Sequence, residues 1–296
     1  MDTALASRPR LWPVTARWVG VRAMAALQAS GGRVDPVPAF VAAGLPYARA
    51  GSELVWIGPA PRTRHPRMIV LPDVPPSAPL AVDLRHARCW APPAGGMPDG
   101  ARVARRLVDL IAALVAARAA GAGRVDHALP APRGFAAALV GQPLEFPLEH
   151  AFVRLHALAA ALERPQPAPL LAAACGLLGV GAGLTPSGDD VVGGALFALA
   201  HRPGPQPGWL AGTIDAIHAA ARERTHAISA SLLVDLAAGQ SYAVLHDFLH
   251  ALAHDRDAAG VPAALGALVA LGHTSGWDLF AGFALAVLQP VRPFEV

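Results

Sequence analysis

The feature that most constrains this chain is a change of texture at residues 91–100, where Ala-Pro-Pro-Ala-Gly-Gly-Met-Pro-Asp-Gly separates two kinds of sequence. Before it, residues 14–90 are punctuated by Pro and Gly and hold short β-prone runs at 53–57, 67–71 and 80–84. After it, apolar residues recur with a helical period. The pattern predicts helices over residues 103–119, 148–162, 170–178, 189–200, 209–237, 242–253, 262–270 and 277–288. Several are apolar nearly all round, which in a water-soluble protein means a central place in a bundle. The expectation is an α+β chain with a small β-rich N-terminal domain over residues 1–95 and a larger α-helical domain over 96–296.

Composition removes several function classes. The chain is 54% hydrophobic with a mean hydropathy of +0.40, yet it lacks the run of about 20 strongly apolar residues that a membrane span needs. The longest uncharged stretch, residues 165–188, is mostly Ala, Gly and Pro and runs straight into Asp189 and Asp190. Arg8 and Arg10 have no apolar run behind them, so a secretory signal is not expected and the chain reads as cytoplasmic and off the membrane. Cys89 and Cys175 form no CxxC pair. All 24 basic residues are Arg. Without Lys there is no Schiff base, no pyridoxal anchor and no P-loop lysine. Residues 1–150 carry 17 Arg against 10 acids and residues 151–296 carry 7 against 11. The arginines stand singly with no aromatic interleaving, which argues against nucleic acid and fits a small anionic substrate, an acidic partner or a solvated surface.

Two loop-to-helix junctions carry the chemistry. Residues 179–190, Gly-Val-Gly-Ala-Gly-Leu-Thr-Pro-Ser-Gly-Asp-Asp, form a glycine-rich run that ends in a polar cluster and enters an apolar helix. Residues 272–278, Gly-His-Thr-Ser-Gly-Trp-Asp, repeat it: Ser187, Gly188, Asp190 and Gly194 match Ser275, Gly276, Asp278 and Gly282 in spacing. Glycines such as Gly181 and Gly183 let backbone approach a ligand, and amides at a helix start attract anions. A capping box, with Ser187 or Ser275 as N-cap and Asp190 or Asp278 returning to the cap amide, accounts for either junction alone. It accounts for neither the second carboxylate at Asp189 nor the repetition, with His273 and Thr274 beside one copy. Asp189 and Asp190 together would hold Mg²⁺ with substrate phosphate oxygens, which makes Mg²⁺ the candidate cofactor. Arg222, Thr225 and Ser229 fall on one helix face, a guanidinium and two hydroxyls suited to a carboxylate or phosphate, or else a plain polar face. His246, His250 and His254 stack at intervals of four beside Asp247 and Asp255, and read as a solvated face rather than a metal site.

At these residues the chain resembles a bacterial family catalogued as a domain of unknown function, whose hallmark Gly-Leu-Thr-Pro-Ser-Gly-Asp-Asp is reproduced letter for letter at residues 183–190. The helix with Thr225 and Ser229 and the junction at 272–278 fall where that family has its other motifs, and the β-rich front fits it as well. One branch is a subunit of oxamate carbamoyltransferase in anaerobic allantoin breakdown, which moves a carbamoyl group between oxalurate and phosphate and works with partner subunits. The resemblance implies a carbamoyltransferase subunit acting on carbamoyl phosphate and oxamate. Where many relatives have Phe-Leu after the two Asp, this chain has Val191 and Val192. Under that reading, helix-start amides at Gly188 and Gly276 with Arg222 would neutralise phosphate. Thr185, Ser187, Thr274 and Ser275 would donate to the carbamoyl oxygen, and Asp190 or His273 would take the proton from the attacking amide nitrogen. A non-catalytic assembly subunit and a Mg²⁺-dependent amide or phosphate hydrolase are the alternatives.

Overall fold

The computed structural model describes residues 11–37, 47–59, 63–72, 78–93, 95–120, 124–125, 129–255 and 259–288. The chain divides into two compact units, residues 1–93 and 94–296.

The first unit is a curled mixed sheet. Its strands are β1 (Trp12–Thr15), β2 (Trp18–Gly20), β3 (Arg33–Pro36), β4 (Tyr47–Ala50), β5 (Glu53–Gly58), β6 (Met68–Val70), β7 (Leu80–Asp83) and β8 (Arg88–Trp90). The spatial order is β1-β7-β3-β4-β5-β6-β2-β8. β1 pairs in parallel with β7, and β2 pairs with both β6 and β8. Because β1 and β2 are successive on one run of chain, the sheet bends back toward its start as a half-barrel. The three β-prone runs are β5, β6 and β7. Helix α1 (Val21–Ala29) was not expected in this half. Its Ala, Met, Leu and Gln are strong helix formers, and it stops at Gly31 and Gly32, both at positive φ. It buries Ala23, Ala26 and Leu27 against a core that includes Val19, Val34, Ile57 and Ile69.

The second unit is helical: α2 (Gly100–Ala119), a short α3 (Ala136–Leu139), α4 (Phe152–Glu163), α5 (Pro167–Leu177), α6 (Ser187–Ala200), α7 (Gly208–Arg224), α8 (Ala227–Ala237), α9 (Ala243–His254), α10 (Val261–Val269) and α11 (Ser275–Leu288). A two-stranded ladder, β9 (Arg124–Val125) with β10 (Leu129–Pro130), precedes α3. Among the described residues no helix is long and apolar enough to cross a membrane.

Helices α6 and α11 form the centre, as their all-round apolar sequence predicts. In α6 every residue from Ser187 to Leu199 is buried. They cross at a pair of glycines. A methyl group on Gly194 would run into the carbonyl oxygen of Leu279, and one on Gly282 into that of Val191. Each clash partner lies three residues before the opposite glycine, so the crossing has near-twofold symmetry. The symmetry extends backward, because Gly188 sits against the Leu177 carbonyl at the end of α5 and Gly276 against the Leu268 carbonyl near the end of α10. Helix, tight turn and Ser-Gly-x-Asp helix thus occur twice.

The expected single helix over residues 209–237 is two. Thr225 is extended at φ −137° and ψ 179°, and it separates α7 from α8. The break is a tertiary effect, since the Thr225 hydroxyl donates to a carboxylate of α6. His246 is also placed differently from its expected solvated face. It is buried, and its Nε2 accepts from the Ser241 amide while burial lowers its pKa to about 4. His250 and His254 are exposed, as expected.

Candidate functional site

The two junctions meet. Thr185 Oγ1 lies 3.0 Å from Ser275 Oγ, and Ser187 Oγ lies 3.4 Å from Thr274 Oγ1. Each pair takes one hydroxyl from either junction, but only the serines correspond by the helix relation, since Thr185 matches His273 in spacing and Thr274 matches Pro186. The loop glycines Gly183 and Gly272 and the side chain of His273 are exposed, the hydroxyls of Thr185, Thr274 and Ser275 are half-buried, and Asp190 and Asp278 are buried beneath them.

Neither junction is a capping box. Pro186 occupies the N-cap of α6, at φ −54° and ψ 142°, and no side chain caps that helix. Ser187 is its first helical residue, and the Asp190 amide donates to Pro186. At the other junction Asp278 Oδ1 accepts from the Phe135 amide at 2.7 Å, far from its own helix start. Gly134, before Phe135, is at φ +57°, and a methyl there would collide with the Asp278 carboxylate. The Gly134–Phe135 contact was missed from the sequence, where Arg-Gly-Phe carries no pattern that distinguishes it from any other turn.

The neighbouring acids Asp189 and Asp190 do different things. A helix turns about 100° per residue, so adjacent side chains face different surroundings. Asp189 Oδ1 accepts from the Gly179 amide at 2.7 Å, and Oδ2 accepts from Ser229 Oγ at 2.6 Å and from Thr225 Oγ1. Thr225 and Ser229 therefore do not lie on one helix face with Arg222. They come from either side of the α7–α8 break and converge on Asp189, whereas Arg222 is exposed in the last turn of α7. Gly179, at φ +77°, packs against the Arg224 carbonyl and closes the same corner. Asp189 is committed to tying the α5–α6 turn to that break.

Asp190 and Asp278 are committed to much less. Asp190 Oδ2 and Asp278 Oδ2 are buried with no hydrogen-bond partner among the described residues. Burial, then the nearby Asp278 charge, raises the Asp190 pKa well above the usual carboxylate value, while the Ser275 and Thr185 hydroxyls oppose the shift. Burial pushes Asp278 up to about 7, against the pull of the Phe135 amide and, more weakly, of the Ser187 and Thr274 hydroxyls. Burial raises Asp189 too, opposed by its three donors.

The helix-start amides are partly spent. Gly188 N–H donates to Val180 at 2.8 Å and Gly276 N–H to Leu271 at 3.1 Å. The glycines at those positions serve close packing against a preceding helix, and the polar atoms that face one another across the junctions are hydroxyls and carboxyls. Among the described residues no group of three or more His, Cys, Asp or Glu is arranged around a metal position.

No solved structure matches the chain. Both junctions, the crossing of α6 with α11 and the α7–α8 break all lie within residues 177–287, the stretch that matches the family model described as oxamate carbamoyltransferase subunit AllH.

Proposed function

We propose that the chain is a subunit of an oxamate carbamoyltransferase-type enzyme, with its site where the two Ser-Gly-x-Asp junctions meet. The observation that carries this reading is the family match over residues 177–287, which contain both junctions and all four facing hydroxyls. In one direction a phosphate oxygen attacks the carbamoyl carbon of oxalurate and the C–N bond to oxamate breaks. The departing nitrogen then gains a proton. In the other direction the oxamate nitrogen attacks carbamoyl phosphate, loses that proton, and phosphate leaves.

The side chains suit both directions. Thr185, Ser187, Thr274 and Ser275 donate to the carbamoyl oxygen as negative charge builds on it. Proton transfer falls to Asp190, whose carboxyl burial and the nearby Asp278 charge shift toward the protonated form, or to His273 at the exposed lip. The anionic end of the substrate belongs on the outer side, by Gly181 and the exposed Gly183, away from the buried acids, and Arg222, exposed in the last turn of α7, is the guanidinium proposed to meet it. Asp189, Thr225 and Ser229 hold the corner that positions Asp190. The test is carbamoyl phosphate formation from oxalurate and phosphate by the assembled enzyme. Asp190→Asn and Asp278→Asn are each expected to lower kcat by about 100-fold or more while the chain stays folded. Full turnover in both variants would sink the reading.

A second reading has its own support. Phe146, Phe152 and Val153 are 81%, 43% and 77% exposed around the start of α4, an apolar set of the kind that docks on partner subunits. If docking is the chain's whole role, the purified chain binds neither oxamate nor carbamoyl phosphate in a calorimeter. In the carbamoyltransferase reading it binds at least one of them.

A further inference from the structure

Six oxygen-bearing side chains meet where the junctions cross, and two of their oxygens lack a partner. Asp190 and Asp278 are 6% and 0% exposed, and the Oδ2 atom of each is unsatisfied among the described residues. Buried polar atoms in folded proteins are nearly always satisfied, and buried charges are paired or ligate a metal. The chain has no Lys, and the basic residue next to Thr274, His273, is exposed. No basic side chain is paired with either acid among the described residues. The two carboxyls are close enough to repel each other. Around them the hydroxyls of Thr185 and Ser275, and of Ser187 and Thr274, form pairs 3.0 and 3.4 Å apart.

We propose that Asp190 and Asp278, with the hydroxyls of Thr185, Ser187, Thr274 and Ser275, bind one divalent, oxygen-preferring cation of the Mg²⁺ or Ca²⁺ class. The donors are carboxylate and hydroxyl oxygens, the hard ligands that such ions select. Two carboxylates match a double positive charge, whereas a monovalent ion would leave one of them uncompensated. Each junction supplies one Asp, one Ser and one Thr, the Asp and Ser at equivalent positions of α6 and α11, so the ion would also clamp the helix starts together. This differs from a cation held by the adjacent pair Asp189 and Asp190, because both Asp189 oxygens already accept hydrogen bonds. The inference deepens the carbamoyltransferase reading of the same site. With Asp190 held as a ligand, proton transfer falls to His273.

Binding is tested without turnover, so that its failure and the failure of the transferase reading are distinguishable. At pH 8, MgCl₂ or CaCl₂ at about 10 mM is expected to raise the melting temperature by several degrees over NaCl of equal ionic strength. The rise should shrink at pH 5, where protons compete for the carboxylates. It should vanish in Asp190→Asn and Asp278→Asn and persist in Asp247→Asn, which changes an exposed acid on α9. Titration calorimetry on the unaltered chain, expected to give one ion per chain, covers the case in which a variant fails to fold. No rise with either cation, or a rise that survives both substitutions, overturns the proposal. So does stabilisation by oxamate that is unaffected by chelator while the cations do nothing, because the free oxygens would then belong to an amide N–H donor.

Discussion

The junctions at Ser187–Asp190 and Ser275–Asp278 agree at three of four positions and differ at the third, and that difference separates support from chemistry. In the first, the third residue is Asp189, which gathers a backbone amide and two hydroxyls from the α5–α6 turn and the α7–α8 break. In the second it is Trp277, 1% exposed, with its ring set edge-on to Phe280 at 5.9 Å. One anchor is polar and the other apolar, each suited to what surrounds it. Of the shared residues, the serines pair with threonines of the opposite junction, and the aspartates each keep one oxygen free among the described residues. Repetition thus marks the positions that act jointly, and divergence marks those that fasten each copy to its own neighbours.

Substitutions at the third position should therefore cost stability, and the largest loss belongs to Trp277→Ala, about 4 kcal/mol in urea unfolding, from the cavity it leaves. Next come the crossing glycines. Gly194→Ala and Gly282→Ala are expected to lose about 3 kcal/mol each, because the added methyl meets a backbone carbonyl that cannot move alone. Unequal losses at the two sites would break the symmetry argument. Asp189→Ala should lose about 2 to 3 kcal/mol by stranding the Thr225 and Ser229 hydroxyls and the Gly179 amide, with a smaller loss of activity per folded molecule than Asp190→Asn causes. If that variant instead stays fully stable and loses turnover, Asp189 belongs with the acting residues.

A smaller effect concerns pH. Burial holds the Asp278 pKa at about 7 in the folded chain, from an ordinary 3.8. The folded state therefore favours the protonated acid, and this contribution is complete below about pH 4 and lost as pH rises toward 7. Asp278→Asn, which cannot ionise, should gain stability relative to the unaltered chain as pH rises from 4 to 8 in metal-free buffer. Parallel melting curves across that range would refute the assignment. The smallest change is expected for Thr185→Val, which removes one member of a half-buried hydroxyl pair and should cost about 1 kcal/mol or less.

The sequence by itself determined the order of a β-rich front and a helical back, the places of β5, β6 and β7, most of the helices, and the pairing of the two junctions through their common spacing. Those features are local: periodicity reports which face of an element is buried, and glycine and proline report where elements stop. Only the tertiary structure decided that Asp189 supports while Asp190 and Asp278 keep a free oxygen, since all three are acids at helix starts and differ only in which distant groups reach them. The same holds for the break at Thr225, the burial of His246 and the approach of Phe135 to Asp278. A side chain's hydrogen-bond partners come from segments tens of residues away, and a spacing rule within one helix carries no information about them.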